Sequence, residues 1–255
     1  TRAWRLYLAG SIAAFRAGEQ PNIVQVFDAG SATIIGAQGA VLPAEDLLKT
    51  NGVAFDANDY IEGVRYFYAD SAGKMVGMPF NSSTPVMYYN TEALEKAGVQ
   101  PPKTWEEFEE IAPKLKDAGY VPLAQSHTPW IFVENFFSRH NLQFATNNNG
   151  YDGLDSELVF NTTVHVQHMQ NLKRWKDDGL LQIRTSQGGL NSRDSFAQGE
   201  CSFYFGSIAS HATVHSVAKP DLEWSVAMLP IYEGYERHNT VVGGASLWVL
   251  SKKTE

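Results

Sequence analysis

Apolar residues spaced three and four apart mark the clearest element of this chain. Over residues 104–119, Phe108, Ile111 and Leu115 share one face, and Thr104 and Glu107 stand at capping-box spacing, so a helix is expected to start at Thr104 and to end at Gly119. Pro113 is expected to bend it. A second long helix is predicted over residues 164–176, where Val166, Met169, Leu172 and Trp175 recur at close to helical spacing, and a shorter one over 11–16. Short apolar runs bounded by turn residues predict strands over 23–27, 85–89, 201–205, 224–229 and 247–250. The asparagine- and glycine-rich segment 147–153 reads as a surface loop. Small polar residues stand at several strand ends: Asp28, the cluster Asn81 to Thr84, and Ser207, with Gly243-Gly244 opening the last strand. Strands interleaved with helices predict an α/β protein, and no internal repeat is evident.

Composition narrows the functional classes. Twenty Lys and Arg against 28 Asp and Glu give a formal charge of -8, which argues against a nucleic-acid surface, since phosphate binding needs concentrated positive charge. The single Cys201 allows no intrachain disulfide and no cysteine-based structural zinc or iron-sulfur site. No apolar run reaches the ~18 residues of a membrane span, and the first 15 residues carry no evident signal peptide.

Catalytic and metal chemistry find little support. His165 and His168 are three apart on a predicted helix, but no further ligands follow at a recognisable spacing, so plain core packing is the expectation. There is no Gly-x-Ser-x-Gly elbow, and Gly188-Gly189 and Gly243-Gly244 lack the spacing of a nucleotide loop. The residues better suited to reversible capture are Asp28, Ser83, Trp130 in a loop, Ser207 at a helix start, and Gly244. A carboxylate and hydroxyls bond ligand hydroxyls, an indole packs on an apolar side, and free backbone amides receive anionic oxygens. Taken alone, Asp28, Ser83 and Ser207 read equally well as caps or turn residues.

Four segments carry a resemblance: Ser11-Ile12-Ala13-Ala14-Phe15-Arg16, the run from Pro79 to Val86, Pro101-Pro102-Lys103-Thr104-Trp105, and the run from Gly243 to Val249. Through these the chain resembles glycerol-3-phosphate-binding members of the maltose-binding-protein-like family of extracellular solute-binding proteins, over residues 12–248. The resemblance implies a type II periplasmic-binding-protein fold with two α/β lobes around a cleft: residues 1–88 in the first lobe, 89–241 in the second, and 242–255 returning to the first. It places the ligand carboxylate at Asp28, where those members have the longer glutamate. It also places contacts at Ser83, Ser207, Trp130 and the Gly244 backbone. Trp4 falls where they use a tyrosine, and His127 where they use a tryptophan; both are possible contacts. The chain begins after the first strand and helix expected of such a fold and lacks the tail that would bring a pocket tyrosine and arginine; Arg139, Arg184 and Arg193 are not substitutes by motif. The implied role is the periplasmic or extracytoplasmic binding component of an ABC importer. It would be a monomer without enzymatic activity, cofactor or metal, presenting glycerol-3-phosphate or a glycerophosphodiester to a membrane permease. A neutral sugar or oligosaccharide is the alternative ligand, and an enzyme on a similar two-lobed scaffold the alternative role.

Overall fold

The computed structural model describes residues 2–37, 39–70, 72–126, 129–185 and 190–251, with side chains from residue 9 onward. Two units form, Thr1–Ser83 with Val242–Glu255 and, separately, Thr84–Val241. Each has its own sheet and apolar core. Among the described residues the strands are β1 (Ile23–Phe27), β2 (Val41–Leu42), β3 (Met78–Ser83), β4 (Pro85–Asn90), β5 (Val121–Gln125), β6 (Leu181–Ile183), β7 (Cys201–Ser207), β8 (Trp224–Ala227) and β9 (Gly243–Leu250).

The first unit is organised by β9, which pairs antiparallel with β1, β2 and β3. Alternation along the pleat turns Ser246, Trp248 and Leu250 inward, and register sets Ser246 opposite Val26 and Trp248 opposite Val24. Trp248 meets Tyr68 edge-on, with ring centroids 6.4 Å apart. Gly77 permits this packing: a Cβ there would lie 2.8 Å from the Trp248 indole.

In the second unit the strand order is β6-β5-β7-β4-β8, with β5 parallel to β6 and β7, and β4 antiparallel to β7 and β8. Central β7 is buried along nearly its whole length, Ser202 included, because helices cover both faces, which explains why it shows no polar-apolar alternation. Met87, Phe203 and Phe205 join a core with the helices Trp105–Asp117 and Thr163–Asp177, whereas Tyr88 and Tyr204 pack with Phe196 and Val214 from Ser192–Ala197 and His211–Val217.

The capping box forms as its spacing predicts: the Glu107 amide donates to Thr104 Oγ1 at 3.1 Å and the Thr104 amide to Glu107 Oε2 at 3.3 Å. Thr104→Ala is therefore expected to cost about 1 kcal/mol, seen as a lower urea midpoint at unchanged slope. An unchanged midpoint would show that Glu107 alone satisfies the helix end.

Several elements depart from expectation. The helix over residues 11–16 extends across Arg2–Ala17, β8 ends at Ala227, and β9 starts at Gly243. Within the loop predicted over 147–153, Asn147, Asn148 and Asn149 all take positive φ and form a left-handed turn, Thr146–Gly150. Asparagine is among the few residues that accept this conformation, usually singly. Here the turn is held by the Phe144 and Ala145 amides donating to Asn149 Oδ1 at 2.8 and 3.1 Å, and by Asn147 Nδ2 donating to Asp155 at 3.0 Å.

Candidate functional site

In the first unit, strand register gathers three of the predicted residues at one end of the sheet. Phe27 pairs with Ala245, Ser82 with Gly244 and Ser83 with Gly243, so Asp28, Ser83 and Gly244 all stand where β9 begins. Asp28 is the first residue of the helix Asp28–Ile35, whose N-cap, Phe27, supplies no side-chain cap. Burial raises its carboxyl above the ordinary aspartate value, while the Ala29 amide pulls in the opposite direction. Ser83 is half-buried and contributes its backbone to the β3–β9 ladder. Gly244 sits at φ +123°, and a Cβ there would lie 2.3 Å from the Asn81 carbonyl oxygen. Only glycine lets the two backbones approach this closely. Asn81 reinforces the corner, its Oδ1 accepting from the Ala245 amide at 2.9 Å.

Sequence reasoning missed the groups behind Asp28. Tyr68 and Ser246 are fully buried, and neither hydroxyl has a hydrogen-bond partner of good geometry. Burial pushes the Tyr68 phenol up to about 12, the Asp28 charge adds to this, and the Ser246 hydroxyl beside it pulls the other way. Ser246 stands opposite Val26, two residues before Asp28, so the three polar groups are close in the fold although distant in sequence. The only sequence signal was a serine on the inward face of an apolar strand.

In the second unit, Trp130 and Ser207 both lie beyond or at the carboxyl ends of the parallel strands β5 and β7, the edge where open α/β sheets commonly place ligands. Trp130 is not in a loop: it opens a single π-helical turn, Trp130–Glu134, half-buried against the core, and its indole nitrogen is buried without a partner. Ser207 caps the short 3₁₀ turn Ile208–Ser210, its Oγ accepting from the Ala209 amide at 3.0 Å. That leaves its hydroxyl proton available to donate. The Ser207 carbonyl accepts from Tyr88 Oη at 2.8 Å, fixing the strand end.

The remaining candidates divide differently. His127 lies outside the described residues, as does the Trp4 side chain, although Trp4 falls on the helix Arg2–Ala17. His165 and His168 are core residues: His165 Nδ1 bonds the Phe160 carbonyl at 2.8 Å, and His168 Nδ1 bonds Tyr232 Oη at 3.1 Å. Among the described residues no cluster of three His, Cys, Asp or Glu side chains is arranged to hold a metal. Arg184 pairs with Glu200, Arg193 with Asp194, and Arg139 is buried in the second unit.

The sn-glycerol-3-phosphate-binding periplasmic protein UgpB of Rhizobium meliloti is 39% identical over 255 residues, covering 97% of this chain. UgpB of Escherichia coli K12 is 38% identical over 254 residues, covering 96%. The chain spans only 58% and 57% of the length of these two relatives. Among solved structures, UgpB from Mycobacterium tuberculosis in complex with glycerophosphocholine superposes with a TM-score of 0.77 at 21% identity, covering 99% of this chain and 63% of that one. The GacH receptor of Streptomyces glaucescens gives a TM-score of 0.78 at 19% identity, covering 96% of this chain and 61% of that one. At these identities the structures establish a shared fold. A family profile described as bacterial extracellular solute-binding protein matches residues 11–255, and with these relatives it shows that the chain belongs to the bacterial extracellular solute-binding protein family.

Proposed function

We propose that the whole protein is the periplasmic or extracytoplasmic binding component of an ABC importer, capturing glycerol-3-phosphate or a glycerophosphodiester and delivering it unchanged to a membrane permease. The observation that carries the ligand assignment is the 39% identity, across nearly the entire chain, to a protein named for binding sn-glycerol-3-phosphate. The site chemistry agrees with it. In the first unit Asp28 offers an acceptor suited to glycerol hydroxyls, Ser83 a donor suited to ligand oxygens and Gly244 its backbone; in the second unit Ser207 offers a donor and Trp130 an apolar face. The proposed role is reversible binding by a monomer, without catalysis and without nucleic acid.

Calorimetry on the full-length protein tests this. Saturable binding of glycerol-3-phosphate or glycerophosphocholine, with ligand recovered intact, is the expected result. Tight binding of maltose with no response to either glycerol phosphate would overturn the ligand assignment, and product formation would overturn the transport role.

A further inference from the structure

Residues 228–242, between β8 and β9, lie outside any strand or helix, and with Val241 the second unit ends. This segment is held along its length by one short helix, Asn135–His140, which continues directly from the turn that Trp130 opens. The buried Asn135 Oδ1 accepts from Thr240 Oγ1 at 2.5 Å and from the Val241 amide at 3.3 Å. Ser138 Oγ donates to the Asn239 carbonyl at 2.7 Å, and the Arg139 carbonyl accepts from the His238 amide at 3.1 Å. Arg139 Nη2 donates to the Leu229 carbonyl at 3.4 Å, and His140 Nε2 accepts from the Tyr232 amide at 2.9 Å. Of these bonds only the last is made by a side chain whose ordinary pKa lies near neutral pH.

The partners of His140 fix its tautomer. The Tyr232 amide can only donate, so Nε2 presents a lone pair; the Phe136 carbonyl, 2.8 Å from Nδ1, can only accept, so Nδ1 carries the hydrogen. A second proton has only Nε2 to occupy, where it would meet the amide hydrogen and abolish the bond. His168 differs: its Nδ1 meets the Tyr232 hydroxyl at 3.1 Å, and a hydroxyl can donate or accept, so protonation there does not by itself break the contact.

His140 is buried against Phe136 and Tyr235, with ring centroids 4.3 and 5.2 Å apart. The titratable groups around it are Arg139 on its own helix, Tyr232, Tyr235 and Arg237 on the segment, and His165 and His168 on the helix Thr163–Asp177. On the helix Trp105–Asp117, Glu106 and Glu109 act on the Tyr232 phenol. Burial lowers the His140 pKa, and the Arg139 and Arg237 charges add to this against the pull of the Phe136 carbonyl. The folded value therefore lies below the unfolded one. The stability this residue contributes is fully present above about pH 6.5 and is lost as pH falls from there through the lowered value.

We propose that the helix Asn135–His140 is an acid-sensitive clamp on residues 229–241: neutral His140 pins Tyr232, and protonation of His140 releases the segment that leads out of the second unit. The ligand residues proposed above take no part in it.

Hydrogen exchange at the Tyr232 amide in the full-length protein, corrected for intrinsic exchange chemistry, tests the clamp. The opening constant is expected to be flat above about pH 6.5 and to rise by up to about tenfold per pH unit below it, because each opening takes up one proton. His140→Gln offers an amide oxygen to the same N–H but cannot be charged near neutral pH, and should remove that slope between pH 5 and 7. A wild-type opening constant independent of pH over this range, or a His140→Gln protein that keeps the wild-type slope, would overturn the clamp. Nitrogen-15 NMR of the wild-type imidazoles decides even if the variant fails to fold: His140 should carry its hydrogen on Nδ1 at pH 7.5, and its protonation should coincide with loss of Tyr232 protection. A hydrogen on Nε2 at pH 7.5, or protonation that leaves Tyr232 protected, would equally overturn it.

Discussion

Gly244→Ala is expected to destabilise the first unit by about 2–4 kcal/mol, because the substitution imposes two penalties at once. The backbone at φ +123° lies outside the region open to residues with a side chain, and the added Cβ would sit 2.3 Å from the Asn81 carbonyl oxygen and 2.9 Å from the Ser82 Cα. The atoms it meets belong to the backbone of β3, so no rotamer change relieves the overlap. Relief requires β3 to withdraw from β9, and β9 also holds β1 and β2. The same withdrawal would displace Ser83, so ligand affinity should fall together with stability. Gly63 supplies the control: it lies within the helix Glu62–Phe67 and a Cβ there would meet nothing within 4 Å. Gly63→Ala should be neutral or stabilising by up to about 1 kcal/mol. Urea unfolding of both variants decides the matter, and a Gly244→Ala protein as stable as wild type would mean that β3 and β9 tolerate separation at this corner.

What could be read from the sequence was mostly what is local. The capping box at Thr104 and Glu107 and the helical spacing from Val166 to Trp175 are written within a few residues of each other, and both appear in the structure. The short apolar-rich runs of β1, β4 and β7 were likewise legible as strands, because each is bounded by turn residues within a few positions. Gly243-Gly244 was legible as a special backbone position, but its reason was not. Gly244 is required by the approach of Asn81, 163 positions earlier (244 − 81). The same holds for Tyr68 and Ser246, whose closeness to Asp28 depends on β1 and β9 pairing across most of the chain. Arg139 illustrates the limit most clearly. In the fold it is buried and meets Leu229 and Arg237, some 90 and 98 positions later (229 − 139, 237 − 139), and nothing around Arg139 in sequence distinguishes it from a surface arginine.

Side-chain roles were harder to read than elements. Ser207 was expected at a helix start and does cap a 3₁₀ turn, yet accepting from Ala209 consumes only part of its bonding capacity. Capping and ligand contact are therefore compatible, and the same hydroxyl can accept from the backbone and donate to a bound oxygen. Trp130 was expected in a loop, whereas the structure uses Ile131 and Phe132 to anchor a wide turn in the core. The indole is then held by packing while its nitrogen stays unpaired.

Asp28→Asn is expected to weaken glycerol-3-phosphate binding while making the empty protein more stable at neutral pH. The affinity loss follows from removing the charge from a hydrogen-bond acceptor, about 1.5–3 kcal/mol or roughly 10- to 150-fold in Kd. The stability gain follows from the direction of the Asp28 shift. Burial raises its folded pKa above the unfolded value, so the native state prefers the protonated form. The associated stability is fully present below the usual aspartate pKa of about 4, and is lost as pH rises through the raised folded value. Above that range the wild-type protein carries a half-buried carboxylate that it holds less well than water does. Asparagine has nearly the same shape and no charge to lose, so the melting temperatures of variant and wild type should match near pH 3.5 and separate, variant higher, as pH approaches 7. The Ala29 amide works against this, since it favours the carboxylate, which makes the sign of the difference informative. If Asp28→Asn were the less stable protein at pH 7, the amide would outweigh desolvation. Equal ligand affinity in the two proteins would remove Asp28 from the binding site altogether, whereas weaker binding by a more stable protein is the signature of a carboxylate kept in an unfavourable place for its ligand.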